Sequence, residues 1–357
     1  MENKRTEKRL SFALFIAVLS LALVIALFWG LLSGSVSLSL QKAAEALSFI
    51  LGSGGDETAA ALIFKIRLPR LLLAVLVGAS LGTAGACFQG LFRNSLADPY
   101  IIGSSSGAAL GAALAVSIGG LPAFGFFINL SSGFSQAAGM GICAFAGSLS
   151  AVFLAFLVSR ASGNAPTPGT LILAGTSVSA FCSALLALVL VIKDRNLIQV
   201  YYWLLGSLSG TTWPRLLSAL PFIVLGNAVI FLSARPLDIL LQGEDAAKSL
   251  GLDPLKTRFI LAVAATLPVA AAVSVSGVIG FVGLIAPHGA RFFTGPAHRR
   301  LLPAAALAGA LLALVADNLA RSIVSPLELP LGIITSLGGA PFFLFLLARQ
   351  KNRGGLL

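Results

Sequence analysis

Charged side chains are scarce in this chain: Asp, Glu, Lys and Arg make up 10% of its 357 residues, against 57% that are apolar. That balance excludes a soluble globular fold and fits an all-α polytopic membrane protein, because only a bilayer solvates so much apolar surface. Histidine is nearly missing as well. His288 and His298 are the only two, and no HExxH or comparable spacing surrounds them, which removes zinc-hydrolase chemistry. The three cysteines, Cys87, Cys143 and Cys182, stand apart inside apolar runs with no CxxC pair, so they read as packing residues rather than a metal or redox site. No Gly-Lys dipeptide occurs. The phosphate-cradling P-loop is therefore absent, and any ATP that drives the molecule is bound by another chain.

What the chain has in quantity is glycine, 38 residues of it, with frequent Ala and Ser. Small residues let membrane helices approach closely, and Gly78/Gly82 and Gly107/Gly111 have the spacing of such contacts. The net charge of +11 would point to nucleic acid on a soluble domain. Here the basic residues fall in short gaps between apolar runs, where they orient the chain in a lipid bilayer, and nucleic acid is not an expected partner. Lys4, Arg5, Lys8 and Arg9 precede an apolar run from Leu10 to Leu32. That run is too long for a signal h-region and long enough to span, so it reads as a retained first helix with a cytoplasmic N-terminus.

Ten spans are expected: Ser11–Leu32, Leu71–Phe92, Ile101–Leu121, Gln136–Val158, Gly169–Ile192, Leu216–Ser233, Thr257–Val275, Gly277–Phe293, Leu301–Leu319 and Leu331–Leu347. Threading them from a cytoplasmic N-terminus places sixteen of the 24 Lys and Arg inside and eight outside, which supports cytoplasmic N- and C-termini. The outer eight include Arg67, Arg70, Lys193, Arg195 and Arg321. Gln199–Gly210, QVYYWLLGSLSG, has the aromatic character of a short helix at the outer interface. Gly119–Ser135 reads as a loop.

One polar insert breaks the pattern, Arg235–Arg258, RPLDILLQGEDAAKSLGLDPLKTR. Glu244 and Asp245 sit where a helix's first turn favours negative charge, Lys248 lies in the last turn, Gly251 suits a left-handed stop, and Pro254 follows. So short a helix is marginal in water. It is expected to have something packed against it, and the plain alternative is a solvated loop helix.

Other motifs each carry two readings. Arg67 and Arg70, in RLPR, and Arg321 either cap helices or, as exposed forks for carboxylates, receive an acidic protein. Asp317, four residues before Arg321, shares its helix face and is expected to pair with it; an intramembrane acid is otherwise a candidate for proton coupling. Gly103–Gly107, GSSSG, matches the GxSxG nucleophile elbow formally but lies in an apolar run without a strand or a nearby base. His288, after Pro287, is read as structural or partner-contacting.

Taken together, RLPR at Arg67–Arg70, QGLFRNSLADPYIIGSSSGAALG at Gln89–Gly111, GEDAAKSLGLD at Gly243–Asp253, GFVGLIAPHGAR at Gly280–Arg291, HRRLLP at His298–Pro303, ADNLAR at Ala316–Arg321 and ELPLGIITSLGGAPFF at Glu328–Phe343 resemble the FecCD family. These are permease subunits of type II ABC importers for iron–siderophore complexes, haem and vitamin B12. The resemblance covers nearly the whole chain. It implies one transmembrane permease domain over residues 1–357, with a coupling segment at about 236–256. It also implies a homodimer in the cytoplasmic membrane, two cytoplasmic ATPase subunits that hold ATP and Mg, and an extracytoplasmic solute-binding protein; this chain itself binds no cofactor and no metal, and is not an enzyme.

By the same resemblance, Gly243, Glu244, Asp245, Ala246, Leu250 and Gly251 contact the ATPase, and Arg67, Arg70 and Arg321 dock the binding protein. Gln89, Asn94, Leu96, Thr167, Pro168, Gly169 and Thr170 fall on the gate and translocation path. Two departures stand out: Ser95 replaces the family's usual proline, which is expected to loosen that loop, and Pro168 and Gly169 replace hydroxyl-bearing residues. The expected cargo is an iron complex. The alternatives are cobalamin carried by the same machinery, or an ion-coupled carrier working alone.

Overall fold

The computed structural model describes residues 2–34, 38–52, 54–118, 136–161, 167–192 and 197–351. The expected loop at Gly119–Ser135 and the basic residues Lys193 and Arg195 lie outside them. Among the described residues every regular element is a helix. In order these are α1 (Glu2–Leu32), α2 (Leu40–Ile50), α3 (Glu57–Ala61), which runs through a π-helical turn into α4 (Leu68–Leu91), then α5 (Ser104–Ile118), α6 (Gln136–Ala161), α7 (Pro168–Ile192), α8 (Leu197–Leu204), α9 (Trp213–Leu232), α10 (Ala234–Leu241), α11 (Glu244–Ser249), α12 (Pro254–Ser276), α13 (Val282–Thr294), α14 (His298–Ser322) and α15 (Leu331–Lys351).

Ten of these fall on the ten expected spans. Among the described residues seven helices are long and apolar enough to cross a membrane, and shorter apolar stretches lie in α5 and α15. The eighth span is corrected. Expected from Gly277, its helix α13 has only 13 residues, roughly 20 Å of rise against a hydrocarbon core of about 30 Å. Residues 277–281 stay non-helical because Gly277 sits at φ +70 and Phe281 at φ +67.

Burial separates interior helices from peripheral ones. In the most apolar stretch of the span through α4, 78% of residues are buried, against 6% in α1 and 17% in α7. Outward apolar side chains on α1 (Leu14, Val18, Leu21) and α7 (Leu173, Phe181, Leu188) are exposed, so those faces are left for lipid or another protein surface to cover. The central contact is α4 against α14. There Gly78 meets Gly309 so closely that a Cβ on Gly78 would lie 2.2 Å from the Gly309 carbonyl oxygen. The second expected pair behaves alike: a Cβ on Gly107 would sit 2.4 Å from the oxygen of Gly147 as α5 meets α6. Small residues do the packing expected of them.

Three non-helical segments converge inside this bundle. The Tyr100 hydroxyl lies 3.1 Å from the Ile279 carbonyl oxygen, the Ser207 amide donates to Ser276 at 2.7 Å, and the Gly332 amide donates to Leu205 at 3.1 Å. Irregular backbone survives at membrane depth only where protein or a water-filled cavity satisfies it. Here Ile279, Leu208 and Ala97 are fully or nearly fully buried, so protein does so.

Candidate functional site

At one end of the bundle the polar insert forms a compact projection. Gly243 at φ +122 and Gly251 at φ +77 take conformations that a Cβ would strain, and between them runs the six-residue α11. The expected helix and its left-handed stop at Gly251 are therefore present. Ala247 is wholly buried, whereas Asp245, Lys248 and Ser249 are exposed and Leu250 is 63% exposed. Asp253 caps the following helix by accepting from the Leu255 and Lys256 amides at 3.0 and 3.2 Å.

A buried arginine anchors α11. Arg258, in the first turns of α12 and 3% exposed, pairs with Glu244 at 2.8 Å. Its hydrogen bond holds the Glu244 carboxyl below the usual carboxylate range, overcoming the opposing effect of partial burial. α10 is held from two further directions. Asp238 accepts from the His298 backbone amide at 2.9 Å and lies 2.7 Å from its Nδ1, while Arg93 donates from Nε and Nη2 to the Leu240 carbonyl at 3.1 and 2.7 Å.

Each of the two expected gate segments closes on itself. Asn94 Oδ1 accepts from the Leu96 amide at 2.8 Å, so the Asn side chain supplies the turn that a proline would otherwise have set. Asn94 is exposed and Leu96 half-buried. In the second segment Thr167 and Thr170 exchange amide-to-hydroxyl bonds of 2.9 and 3.2 Å, with Pro168 and Gly169 in the first turn of α7. The Ser159 hydroxyl donates to Thr170 at 3.0 Å and ties in the end of α6. Gln89 lies deeper than these. Expected on the path, it is 2% exposed and inside the subunit, donating to the Leu284 carbonyl at 3.4 Å and accepting from Arg291 at 3.0 Å.

The arginines at the opposite end also differ from expectation. Arg67, Arg70 and Arg321 are 4%, 8% and 3% exposed, not open forks awaiting a partner. Arg70 bonds Asp317 at 3.0 Å and Glu328 at 2.8 Å. Arg321 lies 3.3 Å from Asp317, as the four-residue spacing predicts, and reaches the Gly30 carbonyl. Arg67 donates to the Leu31 carbonyl. Carbonyls at the end of α1 receive Arg67 and Arg321, Arg70 is held by the two carboxylates, and the cluster clamps α1, α4 and α14. Proton coupling through Asp317 loses its footing, because both arginines neutralise the carboxylate. No group of His, Cys, Asp and Glu able to hold a metal occurs among the described residues.

The GSSSG run opens α5. Ser104 donates to the Pro99 carbonyl and Ser106 to Gly103, each at 3.1 Å, and no strand precedes them among the described residues, so there is no nucleophile elbow. His288 packs edge-on against Phe292 with ring centroids 5.3 Å apart. Sequence reasoning passed over Arg93, Asp238, Arg258, His298 and Glu328 as partners. Only their charge marked them, since each contact joins separate elements of the chain.

A bundle of membrane-length helices with a rigid helical turn projecting from one end defines a multi-pass permease, with the architecture of a type II ABC importer's membrane subunit. The chain belongs to the FecCD transport family, whose model matches residues 22–349. It is 43% identical over 300 residues to the cobalamin import system permease protein BtuC of Halobacterium salinarum, covering 84% of this chain and 77% of that one. To the hemin transport system permease protein HmuU of Yersinia pestis it is 43% identical over 296 residues, covering 81% and 84%. A metal-chelate type ABC transporter solved in an inward-facing conformation superposes with a TM-score of 0.80 at 34% identity, covering 94% of this chain and 98% of that one.

Proposed function

We propose that residues 1–357 form one permease domain and act as half of a homodimeric conduit. It sits in the cytoplasmic membrane with both termini inside, and imports an iron complex, siderophore-bound or haem. Two cytoplasmic ABC ATPases hold ATP and Mg and grip residues 236–256, while a solute-binding protein delivers cargo outside. The observation that carries this reading is α11, a six-residue helix with an exposed Leu250 tip, held rigid by Arg258. Gly243, Glu244, Asp245, Ala246 and Gly251 shape the contact, Asn94–Leu96 and Thr167–Thr170 form the gate, and the arginine clamp braces the rim on which the binding protein lands. The likeness to the hemin permease supports an iron cargo; the equal identity to a cobalamin permease supports cobalamin as the second reading.

The test is to purify the cognate binding protein and identify what it carries by absorbance and mass, then to follow uptake into proteoliposomes with and without the ATPase. An iron chelate and ATP-dependent uptake are expected. Bound cobalamin would transfer the cargo to the second reading, and uptake driven by a pH or sodium gradient in vesicles lacking any ATPase would overturn the importer itself.

A further inference from the structure

Arg93 sits where two parts of the proposed machine meet. It follows α4 and takes φ +52, a conformation uncommon for a residue with a side chain. Its guanidinium is placed by a single acceptor, the Leu240 carbonyl, which receives both Nε and Nη2. That carbonyl lies in the last turn of α10, where helical donors run out and the helix dipole favours a cation. The residues after Arg93 are Asn94–Leu96; α11 begins at Glu244, four positions after Leu240. One side chain thus spans 147 residues of sequence to join the loop to the projection. The other side-chain hydrogen bonds and ion pairs that leave α10 and α11 lead elsewhere: Asp238 goes to α14 through His298, and Glu244 to α12 through Arg258.

We infer that Arg93 is a positioning residue that carries displacement of α10 and α11 to the Asn94–Leu96 loop. The inference rests on reading α11 as the ATPase contact. A guanidinium fork fixes both distance and direction, whereas a lysine ammonium in its place keeps the charge and loses the direction. The loop then moves with α11 only while the fork is seated.

The experiment uses the full chain reconstituted with its ATPase. Labelling of Leu96→Cys by a membrane-impermeant maleimide is read with and without ATP plus vanadate, alongside ATP hydrolysis, in wild-type Arg93, Arg93→Asn, Arg93→Gly and Arg93→Lys backgrounds. Asn and Gly both accept positive φ, so they remove the fork without straining the turn. With Arg93 intact, labelling should change with nucleotide. In the Asn and Gly variants hydrolysis should stay within about twofold of wild type while the labelling change shrinks roughly tenfold, and Lys should restore part of it. A full nucleotide-dependent change in Arg93→Asn, or none with Arg93 intact, overturns the inference. Leu250→Glu separates it from the reading beneath: if that variant still binds the ATPase and couples to it, the α11 contact fails whatever Arg93 does. If Leu250→Glu uncouples while Arg93→Asn behaves as wild type, only the strut falls.

Discussion

Asp317 is fully buried and serves two cations, Arg70 and Arg321, so its carboxylate, with that of Glu328 on Arg70, offsets charge that a buried site would otherwise reject. Removing one member of a buried ion pair leaves an uncompensated charge and costs about 3–5 kcal/mol. Asp317→Asn should therefore lower the thermal unfolding midpoint of the detergent-solubilised subunit substantially. Glu328 also bonds Arg70, but its side chain is 29% exposed and water partly replaces it, so Glu328→Gln should cost roughly 1 kcal/mol or less. An Asn variant as stable as the Gln variant would contradict the clamp. The Asp317–Arg321 pair was legible in the sequence because residues four apart share a helix face. The Asp317–Arg70 contact was not, since it joins positions 247 residues apart. The exposure of Arg67 and Arg321 was misread for a related reason: they donate to backbone carbonyls at the end of α1, and carbonyls carry no residue signature.

The projecting helix α11 was legible because its signals are local: acids first, a base last, glycine after. Its anchor was not, since Arg258 lies in the next helix and nothing in its spacing marks Glu244 as its partner. That anchor gives the element a definite pH response. A carboxyl held below its ordinary value contributes its stabilisation above the unfolded pKa, and loses it as pH falls through the depressed folded value. Glu244 is such a group, so the anchor is complete at neutral pH and fails only below the ordinary glutamate value of about 4.3. A spin label at Ser249→Cys should be equally immobile from about pH 8 to pH 5 and loosen only below that value. In Arg258→Gln the label should be mobile throughout, and one that loosens near pH 6 in the wild-type background would exclude this pair as the anchor. The same distinction between local and distant signals explains α13. Apolarity showed that residues 277–281 belong in the membrane, but a hydrophobic run does not fix backbone conformation, and Gly277 and Gly280 were the only notice of a break.

Across the whole molecule, α4 and α14 form a spine that carries both polar clusters. At one end Arg70 of α4 meets Asp317 of α14. At the other, Gly90 of α4 lies against the His298 ring that begins α14, where an added Cβ would come within 2.6 Å of Nε2, and Arg93 follows directly. Spacing of the two axes is set between these ends by Gly78 and Gly309, whose backbones touch. A side chain introduced there has no flexible neighbour to displace, so the helices must part, and parting them disturbs the arginine clamp and the α10 ties together. Gly309→Val should therefore destabilise the subunit by at least the roughly 1–3 kcal/mol usual for overpacking. It should also abolish the difference in stability between Asp317→Asn and its parent, because the clamp is already open. Gly289→Val on α13 is the matched control, since nothing lies within 4 Å of the added Cβ. Thermal unfolding of the two single variants, and of Gly309→Val combined with Asp317→Asn, decides the matter: additive losses would show that the packing of the spine and the clamp are independent, and the two ends would then not be joined through α4 and α14.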